Sequence, residues 1–120
     1  MSYFRQNIQA TSGYVPGEQP NDPEIIKLNT NENPYPPSPK SVEALNNYVI
    51  DNLRKYPEPV SQPVKDAAAK VLGVETSEVL VGNGSDDILT VIFRSFAGEN
   101  DTIGWLSPSY SLYPILAEIQ

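Results

Sequence analysis

Apolar positions along the chain fall into two regimes. Through about residue 40 they are scattered among prolines and asparagines. From residue 41 onward they recur with the periods of regular structure. Val42, Leu45, Val49 and Leu53 fall on one side of a helix predicted over residues 41–53, with Ser38 or Ser41 as its cap. Val64, Ala67, Ala68, Val71 and Leu72 give the apolar face of a second helix over residues 62–72. Gly73 stands where a glycine ends a helix. Val79, Leu80 and Val81 are a short β-branched run, the signature of a buried strand. After the turn Gly82-Asn83-Gly84-Ser85, the positions Ile88, Leu89, Val91, Ile92, Phe93 and Phe96 make one wide helical face. Residues 102–106 read as another strand, and a last helix starts near Ser111. Ile25-Ile26-Lys27-Leu28 is a candidate for a brief strand nearer the start.

The order α, β, α, β, α implies an α/β architecture with a parallel sheet and right-handed crossovers. Ligands of such sheets gather at the carboxyl ends of the strands. Residues 82–85 and 107–110 both lie at such ends. They would face one ligand if their strands are near neighbours.

Composition sharpens this picture. Ten of the 12 prolines lie between Pro16 and Pro63, so the first half is expected to be extended and looped. The 120 residues amount to one domain at most, and their net charge of −7 argues against nucleic acid or an anionic membrane as main partner. With no cysteine there is no disulfide framework or thiolate metal site, and with no histidine the usual serine-hydrolase triad is excluded. No apolar run reaches membrane-spanning length and no signal-peptide core is visible, so a cytoplasmic protein is expected.

The strand, glycine turn and helix over residues 78–97 can hold an anion. The first amides of a helix lack internal partners, and its dipole makes that end partly positive. Glycine lets backbone approach a phosphate closely, and Ser85 adds a hydroxyl. The same stretch also reads as an ordinary βα turn capped by Ser or Asn. It lacks the third glycine of a dinucleotide fingerprint and the lysine of a P-loop. Asp86 and Asp87 suit a helix start but would repel a phosphate, so they must point elsewhere. Tyr110 in the second loop offers an aromatic face. Asn29 to Pro34 form a polar corner, or simply an Asx turn before proline. Pro34 to Pro37 and Pro36 to Pro39 both satisfy PxxP, which makes a polyproline ligand module an alternative function.

Four motifs occur together in order and spacing: LNTNENPYPPSP from Leu28 to Pro39, Arg54-Lys55-Tyr56-Pro57, VLVGNGSDDILTVIFRSF, and SPSYSLYP. In this the chain resembles histidinol-phosphate aminotransferases, class II pyridoxal-phosphate enzymes of fold type I, over nearly its whole length from Tyr14. Related aminotransferases and the threonine-phosphate decarboxylase branch share much of the pattern. The resemblance implies an N-terminal arm and substrate-side loop over residues 1–35. It makes residues 36–120 the beginning of a parallel-sheet, cofactor-binding large domain. It implies pyridoxal 5'-phosphate as cofactor. Gly84, Ser85 and Asp86 match the loop that holds the cofactor phosphate, and Tyr110 matches the residue stacked on the pyridine ring. Tyr56 matches a tyrosine that reaches the phosphate in the neighbouring subunit of a homodimer. Tyr14, Asn31 and Asn33 match the substrate side. The partners implied are a small amino-phosphate substrate and a 2-oxo acid.

None of Lys27, Lys40, Lys55, Lys65 or Lys70 stands in the context of the family's Schiff-base lysine, so no catalytic residue is expected within the chain. The resemblance places that lysine, the aspartate paired with the pyridine nitrogen and the arginine for the substrate carboxylate beyond Gln120. The chain alone is therefore expected to be inactive, with much apolar surface exposed. A non-catalytic truncated fragment is the competing expectation.

Overall fold

The protein is described over residues 2–120 by a computed structural model. Its regular structure is helical: α1 (Gln6–Ala10), α2 (Pro39–Asn46), α3 (Gln62–Leu72), α4 (Ser85–Phe96) and α5 (Leu112–Ile119), with 3-10 turns at Ile50–Arg54 and Thr76–Glu78. The chain divides into two compact units. One is formed by the residues through Val15 together with Val60–Gln120, the other by Pro16–Pro59.

In the first unit, α3 begins with Pro63 in its first turn and ends at Gly73, whose φ of 70° is left-handed. The amides of Gly73 and Val74 both close on the Ala69 carbonyl, at 2.8 and 3.1 Å. A capping box between Glu75 and Glu78 then sets the following 3-10 turn, with the Glu75 amide donating to Glu78 Oε2 at 2.8 Å. α4 carries Asp86 and Asp87 in its first turn and Arg94 in its last, charges that complement the helix dipole at both ends. α4 packs on α5, and α1 packs on α5. Arg5 Nη2 donates to the Ile119 carbonyl at 3.0 Å, and Asn7 Nδ2 to the Glu118 carbonyl at 3.0 Å. A cation and an amide thus satisfy the open carbonyl end of α5.

In the second unit, Ser38 accepts from the Ser41 amide at 3.2 Å and Pro39 occupies the first turn of α2. Ser38 has the φ of −60° and ψ of 148° of polyproline backbone, but Pro39 is already helical. The second PxxP stretch therefore does not continue as an extended ligand. The helix predicted over residues 41–53 is divided. α2 stops at Asn46, Val49 is extended, and a 3-10 turn resumes at Ile50. The Asn46-Asn47 pair, poor in helix propensity, lies at the break.

The expected strands are corrected. No strand occurs among the described residues, so residues 25–28, 79–81 and 102–106 form no sheet. Val79 has strand-like angles, φ −107° and ψ 123°, yet no ladder partner lies alongside it. A parallel strand gains its hydrogen bonds only from neighbours on either side, so a correct local propensity leaves an unpaired extended segment.

The expected apolar exposure is present. Only Ala69 and Leu116 are buried among the described residues, while Leu72, Leu80, Phe96 and Leu106 are exposed. Full burial of one large aliphatic side chain is worth about 1.5–3 kcal/mol. Little of that stabilisation is realised here.

Candidate functional site

The two loops singled out by the sequence meet. Tyr110 Oη lies 3.2 Å from both Oδ1 and Oδ2 of Asp86, so the phenol donates to the carboxylate in the first turn of α4. Tyr14 joins them from the N-terminal segment, its ring edge-on to Tyr110 with centroids 6.0 Å apart and planes at 71°. Gly84, Ser85, Asp86, Tyr110 and Tyr14 thus form one cluster within one unit. Tyr110 keeps about 37% of its surface exposed.

Gly84 is the residue that makes the turn possible. Its φ of 84° and ψ of 178° belong to a region open essentially to glycine alone. A Cβ built there would meet no atom within 4 Å, so the space beside the helix start is open. No side chain caps α4. Its first amides are left to whatever anion approaches.

The two aspartates both accept from groups other than those amides, Asp86 Oδ1 also lying 3.5 Å from the Ser85 hydroxyl. Asp87 Oδ2 accepts from the Asn83 amide at 2.9 Å, closing the glycine turn on itself. Asp86 accepts from Tyr110. This is the condition the sequence imposed on any phosphate site at Gly84 and Ser85. Neutral donors and a helix N-terminus are also the chemistry that a phosphate-bearing cofactor needs, so the residues present fit pyridoxal 5'-phosphate.

The Tyr110 phenol is held well above the ordinary tyrosine range. The largest influence is the Tyr14 side chain next to its hydroxyl. Partial burial follows, then the Asp86 carboxylate, which accepts the proton and opposes a phenolate. Tyr14 acts as a close neighbour, since the contacts of hydrogen-bond length are those to Asp86. Tyr110 therefore remains a neutral aromatic donor across the physiological range.

Asn31, Asn33 and Tyr56 belong to the other unit. Asn33 Oδ1 accepts from the Tyr35 amide at 3.0 Å, the Asx turn weighed for this corner. Thr30 and Asn31 carry positive φ, 62° and 52°. Lys27 fastens the corner, with Nζ 2.8 Å from Gln19 Oε1 and 2.6 Å from Glu32 Oε1. Its charge and hydrogen bond hold the Glu32 carboxyl below the usual glutamate range. Tyr56 is fully exposed.

Sequence reasoning passed over Tyr113. Its ring lies edge-on to Tyr110, 5.8 Å away at 86°, and stacks on Phe93 of α4 at 6.5 Å and 17°. The available signal was the i, i+3 spacing of Tyr110 and Tyr113 at a helix start. Among the described residues no group of acidic side chains could hold a metal ion, and no helix is long and apolar enough to cross a membrane.

Comparison with known proteins bears on the whole chain. No family model matches it. It is 50% identical over its full length to the histidinol-phosphate aminotransferase of Syntrophotalea carbinolica, covering 35% of that protein. It is 49% identical over its full length to that of Geotalea daltonii, again covering 35%. Histidinol-phosphate aminotransferase 1 of Trichormus variabilis is 46% identical over 99% of the chain, which covers 34% of it. The chain thus spans about a third of the length of the curated relatives it matches. Carried first by four short motifs, the likeness extends end to end: the chain resembles the N-terminal part of the histidinol-phosphate aminotransferase family.

Proposed function

We propose that this chain is the cofactor-holding part of a pyridoxal-phosphate-dependent aminotransferase of fold type I. It would move an amino group between histidinol phosphate or imidazole acetol phosphate and glutamate or 2-oxoglutarate, in histidine biosynthesis. The observation that carries the reading is the meeting of Tyr110 with Asp86 beside the uncapped start of α4. It brings an aromatic ring and free amides within reach of one small molecule. The end-to-end likeness to histidinol-phosphate aminotransferases supports the same reaction.

In this reading the backbone at Gly84, Ser85 and Asp86 and the Ser85 hydroxyl hold the cofactor phosphate. Tyr110 lies against the pyridine ring and fixes its plane. Tyr14, Asn31 and Asn33 face the amino-phosphate substrate, and Tyr56 reaches the cofactor of the second subunit in a cytoplasmic homodimer. The bound cofactor supplies the electron sink that lets a proton leave the substrate carbon. The residues of this chain bind and orient, and no proton transfer is assigned to them. Residues 1–35 would be the arm and substrate-side loop, and residues 36–120 the start of the large domain. There residues 79–81 and 102–106 would find ladder partners in the complete protein.

The test is spectroscopic. The complete protein that carries this chain, purified with pyridoxal 5'-phosphate, is expected to show a visible absorbance band that borohydride abolishes. It is also expected to convert histidinol phosphate in the presence of 2-oxoglutarate. A purified protein with neither band nor turnover returns the chain to the class of non-catalytic interaction modules.

A further inference from the structure

Two aromatic residues beside the site have no part in holding the cofactor. Tyr113, at the start of α5, sits between Tyr110 and Phe93. Tyr113 and Phe93 are both partly buried. Asp86 and Phe93 are seven residues apart on α4, two helical turns along one face. Beside the edge-on ring of Tyr14, Tyr110 is therefore held at two further points that trace to one helix. Its hydroxyl is tied to Asp86, and its flank rests on Tyr113, which is seated on Phe93.

Two points matter for a ring. An aromatic side chain tied only at its hydroxyl keeps the broad, two-fold torsion about χ2 and can tilt. An edge-on neighbour whose own plane is fixed by stacking limits that tilt. Stacking on a flat ligand gains energy only when the two planes match, so an unfixed ring loses affinity in ordering itself.

We propose that Tyr113, seated on Phe93, is a positioning residue that acts with the Asp86 tether to set the plane of the Tyr110 ring against a planar, phosphate-bearing cofactor. The role rests on the function proposed above, and it assigns Tyr113 no contact with the cofactor itself. The hydroxyl of Tyr113 has no part in it; the ring does.

The experiment uses the complete protein stripped of cofactor and titrated with pyridoxal 5'-phosphate. It reads the dissociation constant and the induced circular dichroism of the bound chromophore. Tyr113→Leu is expected to raise the dissociation constant about three- to ten-fold and to reduce the induced dichroism per bound cofactor. Tyr113→Phe is expected to restore both. Phe93→Leu, which leaves Tyr113 in place but removes its seat, is expected to fall between. It carries the same test if Tyr113→Leu does not fold. Unchanged dichroism per bound cofactor in Tyr113→Leu and Phe93→Leu, with only a lowered unfolding midpoint, would make Tyr113 a packing residue and overturn the proposal. A loss in Tyr113→Phe equal to that in Tyr113→Leu would assign the effect to the hydroxyl and overturn it too. Wild-type protein that binds no pyridoxal 5'-phosphate overturns the proposed function together with this role. Wild-type binding with unaltered variants overturns the role alone.

Discussion

The unit containing α4 and α5 and the unit Pro16–Pro59 are ordered by different physics. In the first, residues remote in sequence meet: Arg5 and Asn7 close the end of α5, and Tyr14 and Asp86 converge on Tyr110. In the second, order is local. Asp22 turns on Glu24, Asn33 on Tyr35, and Lys27 on Gln19 and Glu32. Proline restricts the unfolded chain as much as the folded one, so such a segment holds its shape with few long contacts. The difference predicts where substitutions travel. A change in the first unit should disturb binding at a distance, and a change in the second should stay where it is made.

The largest effect is expected at Gly84. Any L-residue at its φ of 84° and ψ of 178° is strained, by about 1–3 kcal/mol. The new Cβ itself meets no atom, so no steric term adds to that strain. Gly84→Val should still abolish uptake of pyridoxal 5'-phosphate, because the side chain fills the open space beside the uncapped helix. Gly73→Ala is the matched control. Its φ of 70° makes alanine cost about 1 kcal/mol in unfolding free energy. Cofactor titration of that variant should nevertheless be normal. Equal loss of cofactor in both variants would mean that strain alone, not the phosphate space, is being read.

Next comes the aromatic stack. Tyr110→Ala should weaken cofactor binding by about 1–2 kcal/mol, roughly ten-fold. Tyr110→Phe removes only the tie to Asp86 and should cost less. An unchanged dissociation constant in Tyr110→Ala would remove the ring from the site.

What the sequence revealed and what it hid divide along the same line. α3 was legible to the residue because a helical period and the terminal Gly73 agree. The start of α4 was legible because glycine and two aspartates mark it. α1 was not legible. Five residues carry too little periodicity, and its contacts lie at the other end of the chain, on Glu118 and Ile119. The expected strands are not formed here, for the opposite reason. Val79 has the conformation its side chain favours, but a strand exists only through a neighbour that no local pattern reveals. In the site, the need for Asp86 and Asp87 to turn away from the amides followed from charge alone. Their partners, Tyr110 and Asn83, did not. Tyr113 was hidden because its role needs the packing of α5 on α4.

A smaller effect is expected in alkali. The Tyr110 phenol is raised by Tyr14, partial burial and Asp86, so it should stay protonated well into alkali. The sign follows from linkage. A group whose folded value exceeds its unfolded value adds stability below the unfolded value. That stability is lost as pH climbs through the folded one. Tyrosine ring-carbon NMR through an alkaline titration would read this directly, and Asp86→Asn should lower the Tyr110 midpoint. A Tyr110 midpoint unmoved by Asp86→Asn would deny the contact.

The smallest effect is expected at the Lys27–Glu32 pair, and it tests whether the second unit keeps its changes to itself. Solvent screens the pair from the Glu32 side, whose side chain is 64% exposed against 22% for Lys27. Lys27 holds the Glu32 carboxyl below its usual range. Its contribution is present at neutral pH and disappears as acid passes the ordinary glutamate value and then the depressed one. Lys27→Met should return Glu32 to the ordinary range in a carboxyl NMR titration and loosen the corner at Gln19 and Asn33. It should leave the Tyr110 midpoint and the cofactor dissociation constant unmoved, because the contacts of Lys27 are closed within its own unit. A shift at Tyr110 in that variant would show the two units energetically coupled, and the contrast between local and long-range order would no longer hold.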